Sequence, residues 1–338
     1  METEQKRHGR KDMSFKISKL KTTLAGMVAG VAMTAGAASA ADLPCSTAKL
    51  VVPWGPGGGT AVIFGIFEKA IEASDAPVKI KVVTVPGQGG ALGAKEAHAA
   101  KPDGCTLFAI HQHLVVNYIN GVTDFSWDGF EPVALLTDTP EIIGAGGHVG
   151  YDSLEGMLDA AKAEPGSIPT GVSMGATSHF LWIMLGAKTG TDFAYVPFQG
   201  GTAGRITGLL NGSIDLGGIN MAAARTQRGD GALKAFAIAA EERSDLIPDV
   251  PTLKELGVDM NYSLTRGIML PKGTPQDVID YWAEVFKAPT QDASFVEEQA
   301  SKGTSVQYLG PQEYAQWWKD TEVDFLDAAK QLKVGRFQ

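Results

Sequence analysis

Cysteine is nearly absent: Cys45 and Cys105 are the only two in 338 residues. No Cys-x-x-Cys or Cys/His spacing accompanies them, which excludes a zinc ribbon or a dithiol redox motif. A Gly-Lys-Ser/Thr after a glycine-rich turn is also missing, and with it the cradle that holds a nucleoside triphosphate. No apolar run reaches the ~20 residues that span a bilayer, since Leu24 to Ala38 is shorter and rich in Ala and Gly. Basic residues are few, with 29 Lys+Arg against 38 Asp+Glu. Nucleic acid and anionic lipid both demand a basic footprint, so neither is expected as a partner.

The first 40 residues read as a cleaved signal peptide. Lys16, Lys19 and Lys21 precede the apolar stretch, and Ala38-Ser39-Ala40 ends it with the small-x-small pattern that a signal peptidase needs. Cleavage would take away seven basic and three acidic residues, leaving 22 Lys+Arg against 35 Asp+Glu, a net charge of −13. Export places Cys45 and Cys105 where disulfides persist. Each precedes a predicted strand, and the first and third strands of an open α/β sheet are often neighbours. That favours a Cys45–Cys105 disulfide over two buried thiols.

What is abundant is glycine, 41 residues, in a chain long enough for two domains. Short β-branched runs alternate with helical periods, the pattern of α/β domains with mostly parallel sheets. Predicted strands are 49–54, 79–85, 106–111, 168–173, 194–197 and 214–219. Helices are predicted over 61–74, 91–100, 154–163, 178–189 and 202–211, then 276–287, 293–302 and 312–332, the last three packing back on the first lobe. A weak internal echo, Val85-Pro86-Gly87-Gln88-Gly89-Gly90 and Val196-Pro197-Phe198-Gln199-Gly200-Gly201, suggests related lobes. The division expected is 42–142 plus 264–338 for lobe 1 and 143–263 for lobe 2, with hinge crossings near 137–150 and 260–268.

Two strand-to-helix turns carry the chemistry. Gly57-Gly58-Gly59-Thr60-Ala61 and Ala176-Thr177-Ser178 lie where backbone N–H groups and the positive helix end can hold an anion, with Thr60 as the expected N-cap. Neither turn contains Lys or Arg, which suits a carboxylate. A ligand in such sheets lies at the carboxyl ends of the strands, where both turns fall. Trp54, His111 and His113 end strands at that edge, and Arg205, Arg225 or Arg266 could supply a countercharge. Against these stands a hydrolase reading, because Gly171-Val172-Ser173-Met174-Gly175 matches a nucleophile elbow. Its base is lacking: the only histidine after Ser173 is His179, six residues on.

The ordered set Val52-Pro53 with Gly57-Gly58-Gly59-Thr60, Pro86-Gly87-Gln88-Gly89-Gly90, Lys101-Pro102-Asp103-Gly104, Val196-Pro197-Phe198, Pro248-Asp249-Val250-Pro251-Thr252 and Pro271-Lys272-Gly273-Thr274-Pro275 closely resembles the Bug family. These are periplasmic solute receptors associated with tripartite tricarboxylate transporters. The resemblance implies a type II periplasmic-binding-protein fold, two α/β lobes closing over an organic acid. It implies no catalysis, no cofactor and no metal, a monomer, and transporter subunits of the membrane as partners. A receptor for another small solute that feeds a sensor is the alternative. Carried over by position, the ligand contacts are Gly57, Gly58, Gly59, Thr60, Ala61, Ala176, Thr177 and Ser178, with Gly200, Gly201, Thr202 and Asn220 nearby. Ala61 stands where the family often has Asp, which removes a partner for a ligand amino group. Cys105 stands where Tyr is usual. Trp54, His111 and His113 would favour an aromatic or bulky acid.

Overall fold

The computed structural model describes residues 43–198, 201–331 and 333–338. The expected signal peptide lies outside them, as does Gly200. The chain begins with β1 (Thr47–Val52), α1 (Gly59–Ala73), β2 (Lys79–Thr84), α2 (Ala91–His98), β3 (Thr106–Ile110), α3 (His113–Ile119) and β4 (Phe130–Pro140). Then follow β5 (Ile142–Gly146), α4 (Leu154–Ala163), β6 (Pro169–Val172), α5 (Thr177–Thr189), β7 (Ala194–Pro197), α6 (Gly201–Leu210), β8 (Leu216–Ile219), α7 (Met221–Thr226) and β9 (Leu233–Ile238). The last stretch holds β10 (Ser263–Pro271), α8 (Gln276–Thr290), α9 (Ala293–Ser301), β11 (Ser305–Leu309) and α10 (Pro311–Gln331).

The strands form two sheets, one lobe around each, ordered β11-β4-β10-β3-β1-β2 and β7-β6-β8-β5-β9. In the first, β1 lies parallel between β2 and β3, with Lys49 opposite Thr106. That register brings the chain ends before β1 and β3 together, and Cys45 and Cys105 form a disulfide there. In the second, β6 lies parallel to β7 and β8, and β5 runs antiparallel between β8 and β9. Two antiparallel segments therefore connect the lobes: β4 leads into β5, and β10 returns beside β4.

Helices cover both sheets because their apolar residues recur at helical spacing. Ile63, Phe64, Phe67 and Ile71 of α1 are buried, and Phe67 packs on Phe286 of α8 and Phe295 of α9. A fully buried side chain of this kind contributes about 1.5–3 kcal/mol by removal of apolar surface from water. The C-terminal segment adds β11 at one edge of the first sheet. Its helix α10 reaches further than expected, since Phe325 stacks on Phe180 of α5 at 5.7 Å and also lies near Tyr262. Its far end therefore joins the two lobes rather than packing on the first alone.

Candidate functional site

The two glycine-containing turns open helices that lack a side-chain cap. Gly58 is the N-cap of α1 and Ala176 that of α5, and neither offers an oxygen to the first amides. By contrast Ser153, Asn220 and Asp292 cap α4, α7 and α9 through their side chains. Helices of 15 and 13 residues thus present bare N-termini, with the positive end of the dipole unneutralised. Gly57 (φ 80°) and Gly175 (φ 68°) make the approach possible, since both hold the left-handed backbone that glycine tolerates.

Thr60 does not cap its helix as expected. The helix starts at Gly59, two residues earlier than expected, so Thr60 sits inside the first turn and its hydroxyl accepts a hydrogen bond from Arg266 Nε at 3.2 Å. In the other lobe Ser178 Oγ accepts from the Ser173 amide at 3.0 Å and folds the turn on itself.

What unites the two turns is the pair of crossings. The Glu141 amide donates to Tyr262 O, the Ala239 amide donates to Glu141 O, and the Tyr262 amide donates to Ala239 O. From this knot Tyr262 Oη donates to Thr177 O at 2.6 Å, while Arg266, four residues on, holds Thr60. Gln112 Nε2, at the end of β3, donates to Ser263 O. One short crossing therefore touches the N-termini of both α1 and α5.

Two buried arginines act electrostatically on Glu141 of the crossing. Arg205 and Arg266 are each only 3% exposed. Burial lowers the pKa of both, to about 10 for Arg266, which therefore keeps its charge at neutral pH. Burial raises the pKa of Glu141, against the opposing pull of Arg205 and Arg266. Sequence reasoning missed Glu141, because nothing in its neighbours marks a hinge carboxylate. It named three arginines without separating them; in the structure Arg225 is exposed.

Trp54 and the two histidines form one aromatic cluster. The Trp54 ring stacks on His111 at 5.2 Å with 10° between planes, and meets His113 edge-on. His111 is 3% exposed and His113 fully enclosed. His113 lies under Gly90, where an added Cβ would come within 2.6 Å of its ring. His113 therefore supports the Trp54 face from behind rather than lining the open cleft. Gly201 and Asn220 are exposed, and Thr202 accepts a hydrogen bond from Arg205 Nη2 at 3.1 Å.

No nucleophile-base pair appears at Ser173. Its hydroxyl donates to Phe198 O, and His179 Nδ1 accepts from the Gly175 amide. Among the described residues no group of three His, Cys, Asp or Glu side chains comes together as a metal site. No helix among them is long and apolar enough to cross a membrane. The lobes touch away from the crossings: Asn120 Nδ2 donates to Gly175 O at 3.0 Å, and Gly303 packs against Met221. A recess of about 540 Å³ lined by Gln88, Gly89, Asn117, Val122, Met174 and Gly175 marks the seam.

Known proteins share this architecture. BugT of Bordetella pertussis is 26% identical over 287 residues, 83% of this chain and 87% of its own. The structure of the periplasmic binding protein BugD superposes with a TM-score of 0.74 at 24% identity, covering 86% of this chain and 98% of BugD. MatC from Rhodopseudomonas palustris, solved with bound malate, gives 0.75 at 25% identity over 84% of this chain and 99% of its own. The family model described as the tripartite tricarboxylate transporter family receptor matches residues 74–326. With two α/β lobes, an interlobe cleft and this match across most of its length, the chain belongs to the Bug-type, tripartite tricarboxylate transporter receptor family of periplasmic binding proteins.

Proposed function

We propose that the protein is an exported, monomeric, non-enzymatic receptor that captures a small organic carboxylate in the periplasm and delivers it to a tripartite tricarboxylate-type transporter. The observation that carries this reading is the pair of uncapped helix N-termini, α1 and α5, tied to one crossing. Amides of Gly59, Thr60 and Ala61 on one side and of Thr177 and Ser178 on the other would grip a carboxylate between the lobes. Gly57, Gly58 and Ala176 shape the two turns, and Gly201, Thr202 and Asn220 form the adjoining rim. Trp54, with His111 stacked on it and His113 behind, supplies a flat wall for the remainder of the ligand. Malate bound in MatC, at 25% identity, supports the choice of a carboxylic acid.

The test is a thermal-shift screen against di- and tricarboxylates, aromatic acids, amino acids, sugars and nucleotides. A ligand that binds only the folded state adds about 2.7 kcal/mol of stability at a hundredfold excess over its dissociation constant. A rise in melting temperature confined to carboxylic acids is the expected result. Shifts with sugars or nucleotides, and none with any acid, would refute the reading.

A further inference from the structure

The turn that opens α5 is closed by amide hydrogen bonds, one of which ends on a titratable atom. The Ser173 amide donates to Ser178 Oγ at 3.0 Å, that of Ala176 to Ser173 O at 2.9 Å, and that of Gly175 to His179 Nδ1 at 3.3 Å. The first two acceptors are oxygens that keep their lone pairs at any physiological pH. A histidine nitrogen accepts only while it carries no proton, so the third bond assigns the proton of the neutral His179 ring to Nε2. The same glycine is bonded again across the lobes, because Asn120 Nδ2 donates to Gly175 O at 3.0 Å. The approach is close: a Cβ added at Gly175 would lie 3.2 Å from Asn120 Nδ2. Gly175 is thus held at its nitrogen by His179 and at its oxygen by the other lobe.

The His179 ring meets Tyr195 of β7 edge-on at 4.6 Å. Burial, aided by Asp192, raises the pKa of Tyr195 to about 12, so the phenol is neutral. Tyr262 of the crossing, whose hydroxyl bonds Thr177 O in the same first turn of α5, is buried and neutral as well. Burial lowers the pKa of His179 below 6.5, and no charged side chain among the described residues adds to that shift. The ring also lies in the first turn of α5, where the positive end of the dipole disfavours an imidazolium.

We propose that His179 is a positioning residue for ligand capture: its neutral ring sets the Gly175 turn so that α5 presents its first amides and Gly175 O meets Asn120 as the lobes close. This rests on the carboxylate-receptor reading and adds acid-triggered release to it. Protonation points an N–H of the ring at the N–H of Gly175, which loses its acceptor, and the turn has to re-form around the charge. Because the neutral ring is the competent one, the contribution of His179 to capture is complete above pH 6.5. It is lost as the pH falls through the lowered value of the folded protein. Ligand and proton then oppose each other, each weakening the other by the same factor.

Nuclear magnetic resonance of the isotope-labelled, ligand-free protein tests the turn first. Between pH 8 and pH 5 the His179 ring should pass from the Nε2–H tautomer toward the imidazolium, and the Gly175 amide should shift with the same midpoint. A Gly175 amide indifferent to the titration of His179, or a neutral ring protonated on Nδ1, would overturn the proposal without any variant or ligand. Calorimetric titration with malate, adipate and citrate at pH 7.5 and pH 5.0 tests the consequence. A neutral hydrogen bond is worth roughly 2- to 12-fold in binding. The ratio of affinities at the two pH values should shrink by that factor in His179→Asn, which keeps a side-chain acceptor that does not titrate. The acid itself, His111 and His113 contribute alike in both proteins. At pH 7.5 His179→Asn should bind more tightly than His179→Ala, since only Asn returns the acceptor. An equal pH ratio in the unaltered protein and His179→Asn would overturn the proposal while leaving the receptor reading intact. Silence from all three acids would count against the receptor reading, with the resonance titration still deciding whether His179 sets the turn.

Discussion

His113 has no exposed surface, and neither of its ring nitrogens has a hydrogen-bond partner among the described residues. Only the uncharged ring suits such a place, and burial brings its pKa down from 6.5 to about 3. His111, stacked on Trp54 and edge-on to His113, is lowered too, first by burial and then by electrostatic interaction with His113 and Arg266. The unfolded chain binds a proton at each ring below pH 6.5 and the folded protein does not. Their contribution to stability is therefore complete above pH 6.5 and is lost as the pH falls from 6.5 toward the folded value. At pH 5 the loss through His113 alone is about 2 kcal/mol. Urea titrations at pH 8 and pH 5 should show the difference between the two pH values shrinking by about that amount in His113→Gln. An unchanged difference would mean that His113 is protonated in the folded protein. The sequence indicated that both histidines end a strand near the cleft edge. Their facing depends on the chain turning into α3 at once, which the Leu114-Val115-Val116 run, rich in strand-type residues, conceals.

The disulfide ties two elements at the amino ends of β1 and β3, across the sheet from the carboxyl ends that form the cleft. It closes a loop of 60 residues. In the chain-entropy account such a closure contributes about 4 kcal/mol through the unfolded state. Replacing both residues, Cys45→Ser with Cys105→Ser, should lower unfolding stability by about 3–4 kcal/mol and leave carboxylate affinity unchanged. A large fall in affinity with intact folding would show that the bridge shapes the cleft. This bridge and the parallel β1–β3 pairing were legible because two cysteines, each just before a β-branched run, have few other ways to meet. Helices α1, α2, α5 and α6 were legible to within two residues from their apolar spacing, whereas α3 and α7 were not. The segments near residues 137–150 and 260–268, expected as crossings, were not read as the paired strands β4 and β10, because a strand that leaves one sheet and begins another carries no break in its pattern. The uncapped helix ends could have been read from the glycines and alanines that precede them. The burial of Arg205 against β8 and of Arg266 against α1 could not, since neither follows from the residues beside them in the chain.

At the scale of the whole molecule the two lobes are linked by few contacts beyond the crossings and α10. Asn120 Nδ2, at the end of α3, reaches the carbonyl of Gly175, the residue whose backbone turns the chain into α5. The amide also donates to Val116 O within its own helix, so it is held ready by the first lobe whether or not the second is near. Such a bond contributes only to the closed arrangement, and a ligand that binds between the lobes must shift the population toward that arrangement. A neutral hydrogen bond of this kind is worth about 0.5–1.5 kcal/mol, or roughly 2- to 12-fold in binding. Asn120→Ala should accordingly weaken carboxylate binding by that factor, chiefly by faster release, and small-angle scattering of the ligand-free variant should show the same or a larger radius of gyration than the unaltered protein. Unchanged release rates, measured by stopped-flow with the acid found in the thermal screen, would show that the bond is not part of the closure that retains the ligand.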